Sequence, residues 1–401
     1  MAIAAPTTTR QITNPDTVQP IVPAPLPAPA ERRRRVALVW WGVGAVVAAI
    51  AATLVAAGLI KVDYVVISPG KAYETNDRVS LGPGVQPYPP TGVIDFVTVS
   101  EQTDVSALEK FFADRDPDAD VSPLQQQLGN RSPQQDNALN LLYMRSSKDT
   151  AAYVALTKLG YSVATQTLGA VITDVQPHSP AESAGLLPGD SVTAIDGTAV
   201  AASAALRDAI GAHKPGDQVT FTVKHQQGDP TTVKVTLAAK PDNANAGFLG
   251  IGTTDLAIPT LPFAVNLRTD DVGGPSAGLA FTLAIIDLLT PGELTGGGVV
   301  AVTGTINTDG TVGPIGGIEQ KVVTVERSKD HPKIFLVPAD HNCGQTDGSC
   351  NYTDAKRKAG NKLTVVPVNT LDDALAALAQ HGGNGLALGT PGAGVSDSSP
   401  S

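Results

Sequence analysis

Ser276 lies in Gly273-Gly274-Pro275-Ser276-Ala277-Gly278, directly before the apolar run LAFTLAIIDLLT. The run is long enough for a buried helix, which puts Ser276 at a helix start. Backbone N–H groups there, together with the positive end of the helix dipole, can stabilise an oxyanion developing on a bound carbonyl. Ala277 and the flanking glycines leave room for a substrate backbone. A serine in that place is equally an N-cap. Its hydroxyl is a weak nucleophile and needs a base. His331, His341 and His381 stand in turn-like or terminal segments with no evident triad arrangement. A lysine can serve if burial depresses its pKa and frees the neutral amine. Lys321 fits, because it falls early in an expected helix among Ile318, Val322, Val323 and Val325, which form one apolar face. The alternative for a lone helical lysine is a solvated surface group. The two cysteines, Cys343 and Cys350, are too few for a four-ligand zinc site, and no metal or other cofactor is expected.

The elements that must position these residues sit in a chain of 401 residues, 42% hydrophobic and 16% charged, with 40 Gly and 31 Pro. That balance excludes a collagen and a wholly disordered chain, and the length suggests two or three domains. A net charge of -10 opposes a phosphate backbone, so nucleic acid is not an expected partner. Residues 1–35 read as a disordered tail, rich in Pro, Thr and Ala and ending in the basic run Arg32 to Arg35. Residues 36–60 follow without a charge, enough at about 1.5 Å per residue to cross about 30 Å of hydrocarbon. A cleaved signal peptide, whose apolar core is shorter at about 7 to 15 residues, and a buried helix of a soluble protein are the competing readings. With Trp40 and Trp41 near the basic end, the arginines should stay cytoplasmic and everything after Lys61 should be extracytoplasmic, in a single-pass membrane protein. In that oxidising space Cys343 and Cys350 are expected to pair as a disulfide, two free thiols being the alternative.

Residues 61–154 read as a membrane-proximal segment with short strands over 62–100, and a helix over Gln134 to Leu159, which Gly160 ends, runs out of it. A strand-rich module over 155–240 comes next. Ser179 before Pro180 can cap a short helix that Gly185 ends, Pro188-Gly189-Asp190 turns into the strand Ser191 to Ile195, and Asp196-Gly197 suits a hairpin. Ala204 to Ala212 reads as a second helix, Gln218 to His225 and Thr231 to Leu237 as closing strands, and Lys240 to Asn243 as a linker. SPAESAGLLPGDSVTAIDG resembles the PDZ domains of bacterial membrane-associated proteases. The resemblance implies capture of an extended peptide by strand addition. The apolar-Gly-apolar turn Leu159-Gly160-Tyr161 is the expected carboxylate-binding loop. Alternatively, the chain itself fills that groove.

GGPSAG, TGTI, DGTVGPIGGIEQK and FLVPADHNC together resemble the proteolytic domain of Lon-type proteases, the serine-lysine dyad family. More narrowly, the chain looks like the membrane-anchored, PDZ-containing Lon-like proteases of Gram-positive bacteria and actinobacteria. The domain would span 245–381, before a flexible tail over 382–401. The resemblance implies that Ser276 is the nucleophile, Lys321 the general base, Thr303 the hydroxyl that holds the lysine, and Ala277 a supporting neighbour. It also implies a homo-oligomer, a hexamer by the family's habit. Two departures stand out. No G-x-x-x-x-G-K-[ST] phosphate loop occurs, so no ATP-driven unfolding is expected. Gly273 stands where classical Lon often carries an acidic residue, with Asp270 or Asp271 as possible substitutes. The expected fold is α+β and multidomain: an N-terminal transmembrane helix, a PDZ-like β-rich domain and an α/β Lon-type proteolytic domain. The expected function is that of an ATP-independent, membrane-anchored serine endopeptidase acting on extended or unfolded extracytoplasmic polypeptides. A catalytically silent peptide-binding scaffold and a protease that processes only itself are the alternatives.

Overall fold

The structure is a computed structural model that describes residues 29–225, 229–270, 272–340 and 350–383. The apolar run forms most of the helix Pro29–Leu59, whose stretch Val36–Leu59 is long and apolar enough to cross a membrane. The chain from Gly58 onward makes a separate compact unit.

That unit is centred on a six-stranded mixed sheet in the order Thr364–Val368, Ile334–Pro338, Val299–Val302, Val93–Gln102, Tyr64–Glu74 and Asp120–Pro123. The first four run parallel and the last two pairings are antiparallel. Strands buried on both faces read as continuous apolar runs, which explains VVAV and IFLVP. Successive side chains alternate: Val300 and Val302 join one core, and Ala301 joins the other. The first core lies under the helices Pro133–Lys158, Gly278–Leu289 and Leu371–Gln380, the second under Ile318–Glu326 and Asn351–Ala359. The long helix Pro133–Lys158 opens on a capping box. Ser132 Oγ accepts from the Gln135 N–H at 3.2 Å, and Gln135 Oε1 accepts from the Ser132 N–H at 2.9 Å, with Pro133 at the first helical position.

Two expected boundaries are corrected. Residues 61–154 are not a segment apart, because Tyr64–Glu74 and Val93–Gln102 are strands of the central sheet and the long helix packs on Gly278–Leu289. The domain holding Ser276 therefore begins near residue 61 and not at 245. The PDZ module is an insertion within it. The chain leaves the domain along Ala164–Val175 and returns along Ile251–Thr260, paired antiparallel with Ala164 opposite Thr260. The module thus closes near Thr260. The turn at Lys240 to Asn243 lies inside it, joining the paired strands Ala238–Lys240 and Asn243–Phe248. Turn residues mark a chain reversal, and composition cannot distinguish that from a domain boundary.

Within the insertion the local signals act as read. Ser179 Oγ accepts from the Glu182 N–H at 3.2 Å at the start of Pro180–Ser183, and Asp196 and Gly197, at φ 46° and 78°, join Ser191–Ile195 to Thr198–Ala199. Two positive φ values in a two-residue loop suit the twist of a hairpin. Gln218–Lys224 and Thr231–Thr236 complete the sheet over the helix Ser203–Ala212, around a core of Ile172, Val192, Leu206 and Phe221.

Candidate active site

Ser276 lies in the turn before Gly278–Leu289, and its side chain does not cap that helix, whose N-cap residue is Ala277. The turn is held from two sides. From the long helix, Asn140 O accepts the Gly274 N–H at 2.7 Å, and Ser147 Oγ donates to Pro275 O at 3.0 Å. From the end of the strand Val299–Val302, the Gly304 N–H donates to Ser276 O at 2.9 Å. Gly278 is required by space, since a Cβ there would come within 2.8 Å of Ser147 Oγ and 2.9 Å of Ile306 Cγ2. The N–H groups of Ser276 and Ala277 have no acceptor among the described residues, which leaves two donors at the hydroxyl.

Lys321 lies in the first turns of Ile318–Glu326, 2% exposed. Its Nζ is 2.6 Å from Ser276 Oγ and 3.0 Å from Thr303 Oγ1. Thr303, wholly buried, donates its single hydroxyl proton to Ser276 O at 3.2 Å, so its lone pairs are free to accept from the lysine. Burial, with no carboxylate to oppose it, pushes the Lys321 pKa down to about 7. Near neutral pH much of the amine is then uncharged. One N–H can point at Thr303 and the lone pair at the serine hydroxyl, an arrangement able to take up the proton of an attacking oxygen. Ser276, Lys321, Gly273, Phe96 and Gln320 face a cavity of about 960 Å³, enough for an extended peptide segment.

Thr303→Val keeps the shape but leaves the lysine one acceptor short. The expected loss is about tenfold to a hundredfold in kcat with little change in KM, measured on a short unstructured peptide. Ser147→Ala removes the donor to Pro275 O from a buried site and is expected to lower stability by about 1–2 kcal/mol in a denaturant titration.

The remaining expected site residues fall elsewhere. Ala277 is buried beneath the turn. Asp270 pairs with Arg78 at 2.9 Å, and Asp271 lies outside the described residues. Gly273 abuts Asn140, where an added Cβ would meet Asn140 Cβ at 2.9 Å, so the long helix occupies the place an acidic side chain would need. That helix is the part of the site the sequence reading missed; Asn140 and Ser147 carry no motif, only a helical register. His331 follows the lysine helix, His381 caps the last helix, and neither bonds Ser276; His341 lies outside the described residues. Cys350 is disulfide-bonded, and Cys343 lies outside the described residues.

Leu159-Gly160-Tyr161 is a correction. It ends the long helix: the Gly160 N–H donates to Thr157 O and the Tyr161 N–H to Leu156 O, both at 3.0 Å. Leu159 and Tyr161 pack in the core of the domain that holds Ser276, not in the PDZ core. With its N–H groups spent on helix carbonyls, this turn has none left for a carboxylate. A second apolar-Gly-apolar turn, Leu249-Gly250-Ile251, sits on the PDZ body. The N–H groups of Leu249 and Gly250 have no acceptor among the described residues, and Gly250 holds φ 82° with Ser179 pressed against it. The turn leads into Ile251–Thr260, an edge strand of the PDZ sheet. Beside that strand, Ser203 at the start of Ser203–Ala212 donates to Asp255 Oδ1 from its N–H at 2.9 Å and its hydroxyl at 2.8 Å. The same tripeptide pattern was visible in the sequence as FLGIG, hidden by the early boundary at 240.

Residues 157–237 match the PDZ domain family, and residues 270–380 match the Lon protease (S16) C-terminal proteolytic domain. The chain is 31% identical over 158 residues to Lon protease 1 of Sorangium cellulosum, covering 39% of this chain and 18% of the relative. It is 39% identical over 75 residues to a probable periplasmic serine endoprotease DegP-like of Marinomonas sp., covering 19% of this chain and 16% of the relative. Among solved structures, the PDZ domain of the SdrC-like protein from Listeria monocytogenes matches at 29% identity with a TM-score of 0.20, covering 21% of this chain and 87% of that one. The chain thus spans less than a fifth of the length of these two curated relatives. What it carries is a PDZ domain set within a mixed α/β unit whose C-terminal part is a Lon-type proteolytic domain.

Proposed function

We propose that the chain is a serine endopeptidase in which Lys321 deprotonates Ser276 for attack on a peptide carbonyl, with the N–H groups of Ser276 and Ala277 as oxyanion donors. The observation that carries this reading is the 2.6 Å contact between Lys321 Nζ and Ser276 Oγ in a buried setting that lowers the lysine pKa to about 7, so that a large share of the amine is neutral near pH 7. Attack forms an acyl-enzyme on Ser276 Oγ. Lys321 returns its proton to the leaving amine and then activates water for deacylation.

Polypeptides are the proposed substrates. The PDZ insertion would take a chain end at Leu249-Gly250-Ile251 and extend it along the edge strand Ile251–Thr260 by main-chain hydrogen bonds. These 401 residues contain no phosphate-binding loop, so their turnover should not depend on ATP. Val36–Leu59 is the proposed membrane anchor, with the basic run Arg32 to Arg35 cytoplasmic and the protease outside the cytoplasm, where a Cys343–Cys350 bridge is compatible with an oxidising space. The hexamer that the resemblance implies is part of this proposal. The test is incubation of the purified chain with an unfolded protein, with and without ATP, beside Ser276→Ala. Cleavage that is equal in the variant, or that requires ATP, rejects the reading.

A further inference from the structure

The helix Ala107–Ala113 buries none of its side chains fully, and on it Phe111 and Phe112 are 48% and 61% exposed. Their rings meet edge to face at 5.6 Å, and neither joins any of the unit's cores. Two neighbouring exposed phenylalanines need a partner surface more than a scattered apolar residue does. The chain next to them identifies one.

The apolar span ends at Leu59. The Ala107 N–H donates to Ile60 O at 2.8 Å, the Val62 N–H donates to Val105 O at 2.9 Å, and Lys61 bridges to Ser106 between them. The helix therefore starts one hydrogen bond from the residue that follows the span. At about 1.5 Å rise per residue, Phe111 and Phe112 lie only about 6 to 8 Å along the helix from Ala107, whichever way it points. The polar zone of a bilayer leaflet is about 5 to 8 Å deep.

The surrounding side chains suit such a zone. Arg115 stacks on Phe111 with its guanidinium carbon 3.5 Å from the ring centroid, and the Lys110 ammonium lies 4.3 Å from the centre of the Tyr64 ring, apolar stems with cationic tips. Nearby carboxylates are occupied: Asp104 by Lys61, Asp114 by Lys110, Asp118 by Arg327 and Lys358, and Glu109 by its N-cap Ser106. The exceptions are Asp116, bonded only to the Asp118 N–H, and the exposed Asp63 and Asp120, which have no ion pair among the described residues.

Resting on the membrane-spanning reading of Val36–Leu59, we infer that Ala107–Ala113 is a membrane-surface helix whose Phe111 and Phe112 enter the lipid interface beside the span. The experiment places photoreactive benzoylphenylalanine singly at Phe112, at Leu54 in the span, or at Lys234, an exposed residue of the PDZ strand Thr231–Thr236. Each full chain is reconstituted in nanodiscs of phosphatidylcholine and phosphatidylglycerol, irradiated and analysed by mass spectrometry. Lipid adducts are expected from Phe112 and Leu54 and not from Lys234. Lipid from Leu54 but none from Phe112, or equal labelling at Phe112 and Lys234, overturns the surface helix and leaves the span standing. A covalent dimer through Phe112 gives this face to a second copy of the chain and also overturns it. Absence of lipid at Leu54 removes the span itself.

Discussion

Ser276→Ala and Lys321→Met are each expected to lower hydrolysis of an unfolded protein by about four orders of magnitude or more, and the double variant should be little worse than either alone, because the two side chains act as one unit. Their effects on stability should differ. Lys321 is buried without a carboxylate, and its pKa is pushed down to about 7 from an unfolded value near 10.4. Below pH about 7 the folded and unfolded chains both hold the proton, and the folded state bears the full cost of a buried charge. Between about 7 and about 10.4 the unfolded chain holds more proton, so the stability set by this residue rises with pH. Methionine removes the ionisable group while filling similar space. Lys321→Met should therefore melt higher than the wild type at pH 7, by an amount that shrinks toward pH 10. In the wild type, kcat/KM should climb through pH about 7 and then level. Calorimetry and a peptide assay across this range decide the matter: a Met variant less stable at pH 7, or a wild-type rate flat from pH 6 to 9, would make Lys321 a structural residue.

The parts of this molecule that were readable in its sequence are those made by local chemistry. Asp196-Gly197, Ser179-Pro180 and Gly185 each act on three or four neighbouring residues, so their types alone define a hairpin, a cap and a stop. The approach of Ser276 to Lys321 is a different matter. No local rule joins two residues 45 apart, and the expectation came from the resemblance of the surrounding motifs to a family. What stayed hidden is non-local. Val93–Gln102 pairs in parallel with Val299–Val302, and Tyr64–Glu74 reaches the same sheet through it, across about half the chain. Parallel pairing needs no turn between its strands and leaves no punctuation, so residues 61–154 looked like a separate segment. The turn proposed to take a chain end was hidden for the same reason. Leu159-Gly160-Tyr161 and Leu249-Gly250-Ile251 have the same pattern, and only the partners of their N–H groups distinguish a spent helix end from an open loop.

The insertion topology makes a clean excision possible, and its outcome separates capture from chemistry. Ala164 and Thr260 stand opposite each other where the two connecting strands meet the domain that holds Ser276, and just beyond them Tyr161 and Phe263 pack edge to face at 5.4 Å. Replacing residues 165–259 by an Asn-Gly turn would close this ribbon as a two-residue hairpin without moving its base. None of the groups around Ser276, Lys321 and Thr303 lies in the excised stretch, and the PDZ core is a cluster of its own, so the remaining domain should fold. Hydrolysis of a short unstructured peptide is expected to stay within about threefold of the wild type, well under the 1.4 kcal/mol that a tenfold change represents. Cleavage of a long unfolded protein should fall by about a hundredfold, the low end of what a tethered second binding event supplies. Gly250→Val in the intact chain is expected to lower protein cleavage in the same direction, since φ 82° and a Cβ 2.3 Å from that of Ser179 leave the turn no room for a side chain. If short-peptide activity falls in step with protein cleavage, the insertion helps to build the active site; if neither falls, the insertion does not capture substrate.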